Sequence, residues 1–209
     1  GSGWPLHGWN CSPIDTCGFR RPVSYLHESF GSDEPCLRLA VIDDSIDEPE
    51  PTKSHWDWPK MASHWNLSVE PGKEVKVAAF TNCQAIELFL NGRSLGAKKL
   101  EDFEDRVPVW TAPWEPGTIR ASGVKDGKWM ASHEMKTAGA ADQILIKPDR
   151  TTIRPDGHDL CHIEISVGDA EGVLVPDAAQ ELMFEVEGPA VIGGVDNGDL
   201  RSHEPSVAD

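Results

Sequence analysis

The strongest structural signal in the sequence is a tight-turn dipeptide that directly follows an alternating segment. Ile86, Leu88 and Leu90 recur at every second position, and Asn91-Gly92 comes immediately after them. Alternation with a period of two is typical of a strand with one buried face. Both central residues of a type I′ turn need positive φ, which Asn and Gly tolerate. The segment therefore predicts a β-hairpin.

The neighbouring segments repeat this pattern. A second turn dipeptide, Asp126-Gly127, separates two further strand-like segments, and residues 74–80 alternate before they become apolar throughout. Short strands divided by turn signals are typical of an antiparallel β-sandwich. We predict such a sandwich over residues 37–138, interrupted by an acidic, proline-containing insert at 43–54 that we expect to be a solvated loop.

A second β pattern follows a joint of small residues near position 139. About 70 residues remain after this joint, which is few for a sandwich of about 100 residues. An unpaired strand edge is also unfavourable. We therefore predict that residues 139–209 form a second sandwich module that is incomplete. The predicted strands of this module lie at 143–147, 160–167, 182–187 and 190–195.

The N-terminal segment, residues 1–36, has a different character. Pro22 suits the first position of a helix, where its missing N–H costs nothing, and Val23, Leu26 and Phe30 then fall on one helical face. A single short helix cannot bury a core alone. The segment is therefore predicted to dock on the next domain or to be what remains of another one.

Length and charge exclude several classes of protein. The chain has 209 residues, whereas a complete (β/α)8-barrel enzyme needs about 250. Its 19 basic and 35 acidic side chains give a net charge of −16 with no basic run, so we expect no nucleic-acid partner. No apolar stretch approaches the ~20 residues of a transmembrane helix, so we expect no membrane partner.

No cofactor or metal site is predicted. The five cysteines are widely spaced and include no C-x-x-C pair, so we expect buried free thiols. A Cys11–Cys17 bridge is the alternative. His158 and His162 are four residues apart, but a turn running into a strand would separate them by ~13 Å, which is too far for one metal ion.

Longer motifs identify a family. Residues 14–19 read Ile-Asp-Thr-Cys-Gly-Phe, and residues 80–96 contain Leu-Phe-Leu-Asn-Gly-Arg. Two further motifs lie at residues 148–153 and 194–199. In this order, they resemble the end of the catalytic barrel and two following immunoglobulin-like modules in glycoside hydrolase family 2, the β-galactosidase-like group. The resemblance is collinear over nearly the whole chain.

The resemblance implies a specific function. Residues 1–36 would be the end of the (β/α)8 barrel, and the rest would be two immunoglobulin-like accessory modules of a retaining glycosidase that acts on β-linked glycans. Both catalytic glutamates would lie upstream of Gly1, so we assign no catalytic residue and expect this fragment alone to be inactive. The implied partners are the missing barrel domain, carbohydrate bound through it, and a second copy in a homo-oligomer. The family is often periplasmic or exported, and the compartment stays open.

Tryptophans are the candidate carbohydrate-binding residues. Their rings offer flat apolar area and an N–H donor. Trp4 and Trp9 precede the barrel-end motif, and Trp56 and Trp58 belong to a His-Trp-x-Trp motif that comes later than the family pattern because of the acidic insert. These four are the predicted substrate-binding residues. Packing under the last barrel helix is the alternative for the first pair, and burial at the barrel-to-module junction is the alternative for the second.

We expect three further tryptophans, Trp110, Trp114 and Trp129, to pack in the core of the first module or at an interdomain contact.

A different function remains open. A free-standing carbohydrate-binding or adhesin-like immunoglobulin-type protein would instead require exposed tryptophan.

Overall fold

A computed structural model describes residues 12–42, 59–199 and 202. The chain forms two compact units, of which unit 1 comprises Gly1–Thr137 with Asp196–His203, and unit 2 comprises Ala138–Val195 with Glu204–Asp209. The described residues are mainly β. The predicted acidic insert at 43–54 lies outside them.

Unit 1 contains one helix and eight strands among its described residues. The helix α1 spans Val23–Gly31. The strands are β1 (Leu37–Ile42), β2 (Met61–Ala62), β3 (Glu74–Thr81), β4 (Ala85–Leu90), β5 (Arg93–Lys99), β6 (Val109–Pro113), β7 (Thr118–Lys125) and β8 (Lys128–Lys136), with a 3-10 turn at Leu100–Asp102.

These strands form an antiparallel sandwich, as predicted. The first sheet has the order β2-β1-β3-β6 and the second has the order β5-β4-β7-β8. Alternate residues of each strand point into the space between the sheets. Leu39 and Val77 of the first sheet and Leu88 and Ile119 of the second are fully buried in the same apolar cluster.

Both predicted hairpin turns are confirmed. Asn91 and Gly92 have φ values of 49° and 80°, and Asp126 and Gly127 have φ values of 52° and 74°. The Asn91 side chain also joins two loops, because its Oδ1 accepts the N–H of Thr118 at 2.8 Å.

Three tryptophans fill the core and satisfy their indole N–H groups. Trp65 is completely buried, and its Nε1 donates to the Glu115 carbonyl at 2.8 Å. The Nε1 of Trp114 donates to the Trp65 carbonyl at 3.2 Å, and the Nε1 of Trp110 donates to the Gly96 carbonyl at 3.1 Å. A buried polar group without a partner is costly, so these bonds permit full burial. The core placement expected for Trp110 and Trp114 is confirmed.

Helix α1 covers the outer face of the first sheet. Tyr25 and Leu26 pack against the cluster that contains Ala40 and Phe80. The second half of β3 is therefore buried on both faces, which explains why residues 77–80 are all apolar. The prediction that Phe30 belongs to the buried helical face is wrong, because the packed residues lie earlier in the helix and Phe30 in the last turn is 62% exposed.

Unit 2 is simpler than predicted. Its described strands are β9 (Gln143–Pro148) and β10 (Ile163–Gly168), which pair antiparallel as one two-stranded sheet. The predicted strands at 182–187 and 190–195 are wrong, because these residues pair with no described strand. Met183 and Val191 there are 96% and 89% exposed. A strand needs a hydrogen-bonding neighbour that alternation alone does not supply.

The buried carboxylate of Asp169 organises the loop after β10. Its Oδ2 accepts the N–H of Gly139 at 2.8 Å, and its Oδ1 accepts the N–H groups of Glu171 and Val173 at 2.9 Å each. These bonds lower the pKa of Asp169, and the bond from Gly139 has the largest effect. The reason is that each of them favours the charged form of the carboxylate.

We expect the core indole of Trp65 to dominate the stability of unit 1. Trp65→Ala should lower the free energy of unfolding by about 3–5 kcal/mol through the lost packing and the cavity. Trp129→Ala, the same change at a residue that is 63% exposed, should cost less than about 0.5 kcal/mol. Urea unfolding followed by circular dichroism measures both, and equal losses would contradict this account of the core.

We expect Asp169 to make stability depend on pH in the acidic range. Because its pKa in the folded chain is lowered from 3.8, its contribution is fully present above that ordinary value and is lost as the pH falls through the lower folded value. Asp169→Asn should therefore lower the melting temperature at neutral pH, and the difference should shrink below about pH 4. Asp177→Asn, at an exposed carboxylate, is the matched control. A difference that is independent of pH would contradict the prediction.

Candidate functional site

The tryptophans predicted to bind substrate lie outside the described residues. This holds for Trp4, Trp9, Trp56 and Trp58. Their role stays a prediction.

The barrel-end motif forms a tight turn held by its own carboxylate. The Oδ1 of Asp15 accepts the N–H of Cys17 at 3.0 Å and the N–H of Phe19 at 2.8 Å. Burial, followed by the charges of Asp196 and Asp15, raises the pKa of Cys17 to about 11. The thiol therefore stays protonated at neutral pH and is a poor nucleophile. The motif has a structural function in this segment.

The other described cysteines are also free thiols. Cys36 and Cys83 are free and buried, as expected. Burial raises the pKa of Cys36. Cys161 and Cys17 are free and only half-buried, so the expectation of burial is wrong for these two, which lie in connecting segments outside the strands.

Metal ligands do not converge in the described ranges. There, no three His, Cys, Asp or Glu side chains are placed to hold one ion. His162 instead lies with its Nδ1 3.6 Å from the carboxylate of Asp149. Within residues 12–42 and 59–199, the α-helix has nine residues and is too short to traverse a lipid bilayer.

A depression of about 780 Å³ lies on the outer face of the second sheet. We call it the outer groove. Strand alternation creates its lining, because the inward residues of β4 and β7 fill the core and their neighbours face outward. Its principal side chains are those of Phe89, Arg120, Ser122, Trp129, Ser132 and Glu134.

The strand register arranges these side chains in rows. Phe89 on β4 lies opposite Arg120 on β7, which lies opposite Glu134 on β8. In the next row, Ser122 lies opposite Ser132. Directly paired residues have Cβ atoms about 4.5–5.5 Å apart, so each row brings its side chains within reach of one small ligand.

A β-bulge brings Trp129 into the outer groove. The register between β7 and β8 shifts between Gly123 and Val124, so that Val124 pairs with Trp129 and Met130 is the extra residue of the bulge. Trp129 is 63% exposed and Met130 is 51% exposed. A bulge re-aims a side chain relative to a regular strand. Trp129 therefore does not pack in the core of the first module, and the alternative of an interdomain contact stays a prediction.

Strand alternation alone would turn Trp129 inward. Met135 is buried, and in a regular strand every second residue counted back from it, including Trp129, would share its face. The sequence signal for the bulge is the pair of adjacent apolar residues, Trp129-Met130, just after the Asp126-Gly127 turn.

Several polar groups in the outer groove have unused hydrogen-bonding capacity. Among the described residues, the indole N–H of Trp129, the guanidinium of Arg120 and the hydroxyls of Ser122 and Ser132 have no hydrogen-bond partner. Glu134 lies 3.4 Å from the Nζ of Lys136 in an exposed ion pair. The surface can therefore exchange hydrogen bonds with water for hydrogen bonds with a ligand, without breaking bonds inside the protein.

Family models match both parts of the chain. Residues 72–131 match a domain of unknown function, DUF4982. Residues 144–209 match the glycoside hydrolase family 2 C-terminal domain 5.

Three known proteins show a similar sequence or structure. The chain is 34% identical over 203 residues to beta-galactosidase BoGH2A from Bacteroides ovatus, a match that covers 97% of this chain and 21% of that protein. A glycosyl hydrolase family 2 member from Bacteroides cellulosilyticus superposes with a TM-score of 0.87 at 33% identity, over 95% of this chain and 26% of its own. A beta-glycosidase from Bacteroides vulgatus gives 0.80 at 30% identity, over 97% and 23%.

The chain thus spans about a fifth to a quarter of the length of these relatives. Its two family matches follow one another in the order that the sequence motifs indicated. We conclude that the chain belongs to glycoside hydrolase family 2 and corresponds to C-terminal modules of its members.

Proposed function

We propose that this chain supplies the accessory immunoglobulin-like modules that follow the catalytic barrel of a retaining, β-galactosidase-like glycosidase. The observation that carries the proposal is the asymmetry of the sequence match, which covers 97% of this chain and 21% of a β-galactosidase. On this proposal, the longer protein hydrolyses β-linked glycans, and the modules of this chain support its barrel.

The described carboxyl groups support an accessory role. Retaining glycosidases need two carboxyl groups about 5–5.5 Å apart, one of which has a raised pKa and serves as general acid. Every shift resolved for a described carboxyl group is downward instead. Although partial burial raises the pKa of Asp149, hydrogen bonds from Arg150 and His162 hold it at about 2. The backbone N–H of His158 lowers the pKa of Asp156.

The N-terminal segment carries the surface that a barrel would cover. Ile14, Phe19 and Phe30 are 49%, 45% and 62% exposed. Three exposed large apolar side chains in one short segment fit a contact surface, and this supports assigning residues 1–36 to the end of a barrel. Contact with that domain would bury them.

The proposal extends to residues outside the described ranges. We propose that Trp4 and Trp9 lie near the mouth of the barrel and that Trp56 and Trp58 lie near its junction with the first module, where they contact carbohydrate. We also propose that the longer protein assembles as a homo-oligomer.

A carbohydrate-binding immunoglobulin-type module is the second candidate function. One observation favours it, because Trp129 is 63% exposed and this function requires an exposed tryptophan. The two functions are compatible in one protein.

Hydrolysis assays test the accessory role. The 209-residue chain should release no nitrophenol from nitrophenyl β-galactoside, because on this proposal the catalytic pair of carboxyl groups belongs to the barrel of the longer protein. The full-length product of the reading frame that encodes this chain should release it. Nitrophenyl β-glucuronide, assayed in parallel, shows whether the activity is specific for the galactoside.

The inactive control is the full-length protein with each barrel-strand glutamate changed to glutamine in turn. Turnover by the isolated chain that disappears when one of its own acids is replaced would overturn the proposal. An inactive full-length protein would overturn the assigned activity.

A further inference from the structure

We propose that the outer groove is an ancillary carbohydrate-binding site for a short β-linked oligosaccharide of neutral hexoses. In this site, Trp129 is the stacking platform, and Arg120, Ser122 and Ser132 donate and accept hydrogen bonds. The choice of a glycan rests on the proposed function. The existence of a ligand site rests on the geometry of the groove.

Trp129 differs from the other described tryptophans in two respects. Trp65, Trp110 and Trp114 are at most 8% exposed, and each donates its indole N–H to a backbone carbonyl. Trp129 is 63% exposed, and its N–H has no partner among the described residues. A large aromatic ring held in water with a free donor is what a sugar face and its hydroxyls can use.

The platform is rigid before any ligand arrives. Trp129 lies on β8, whose partner β7 is itself paired with β4. The bulge at Gly123 and Val124 turns the ring outward, and bulges of this kind act as positioning features rather than defects. A preformed surface avoids the entropy cost of ordering a loop on binding.

The spacing of the groove suits more than one sugar residue. Trp129 pairs with Val124 of β7, and Arg120 lies four residues before Val124 on the same strand. This separation is about 13 Å, which exceeds one pyranose ring. The volume of about 780 Å³ falls within the range of small-molecule sites.

The pattern of polar and apolar groups favours a glycan over a protein partner. The aromatic rings of Phe89 and Trp129 lie at opposite corners of the groove, and the row of Ser122 and Ser132 lies between them. The core of a protein interface is instead a continuous apolar patch. Alternating rings and hydroxyls match the C–H faces and hydroxyl groups of a saccharide.

The charges around the groove do not select an anionic sugar. Arg120 lies directly opposite Glu134, which also forms an ion pair with Lys136, so charges of both signs surround the groove. The chain as a whole carries a net charge of −16, which disfavours the approach of an anionic glycan.

A fluorescence titration of the 209-residue chain tests the site. The ligands are β-1,4-galactotriose, cellotriose and galactose. We expect saturable binding of at least one trisaccharide, with galactose at least about tenfold weaker because it spans one row only. Trp129→Ala should weaken trisaccharide binding at least about tenfold, as measured by isothermal titration calorimetry.

The controls separate the site from general effects. Phe30→Ala removes another exposed ring, on α1, and should leave the affinity unchanged. Arg120→Met should weaken binding about threefold to tenfold, whereas Lys76→Met, an exposed cation on the first sheet, should not. Circular dichroism and unfolding curves verify that each variant is folded.

Three outcomes would overturn the proposal. The first is that neither trisaccharide binds saturably, and the second is that Trp129→Ala leaves binding unchanged. The third is that the chain self-associates and Trp129→Ala abolishes the self-association, because the groove would then be a protein interface. Failure of hydrolysis by the full-length protein would overturn the proposed function and leave this binding result unaffected.

Discussion

The sandwich of unit 1 depends on two buried indoles whose N–H groups each donate to a backbone carbonyl of the other tryptophan's segment. Trp65 donates to the carbonyl of Glu115, and Trp114 donates to the carbonyl of Trp65. Burial of an indole is favourable for its apolar area but costly for an unpaired N–H. These bonds remove that cost and join the segment before β3 to the connection between β6 and β7. The two sheets are thereby held around one apolar core.

This core leaves the two outer faces of the sandwich in different situations. Helix α1 packs on the outside of the β2-β1-β3-β6 sheet through Tyr25 and Leu26. Over the other sheet, no described element of unit 1 covers the groove around Trp129. A module that seals one face and presents the other suits an accessory role, because one face can support a neighbouring domain while the other contacts a ligand.

Local rules predicted much of this fold from sequence. The turn dipeptides and the period of two predicted the hairpins at Asn91 and Asp126, and the family motifs predicted the order of the modules. The rules failed where the outcome depends on long-range pairing. The bulge that exposes Trp129 is a property of two strands together, and residues 182–195 have the composition of strands but no described partner. For the candidate site, the sequence predicted the residue type, which is tryptophan. The exposed ring is that of Trp129, a residue expected to pack in the core or at an interdomain contact.

The most direct test of the account is a ¹⁵N-¹H correlation spectrum of the tryptophan indole groups during titration with β-1,4-galactotriose. The account predicts that the cross-peak of Trp129, assigned from its absence in the Trp129→Ala variant, shifts and saturates. The cross-peaks of Trp65, Trp110 and Trp114 should stay in place, because their N–H groups are bound to backbone carbonyls in the core. An unmoved Trp129 peak, or shifts confined to the core indoles, would contradict the account.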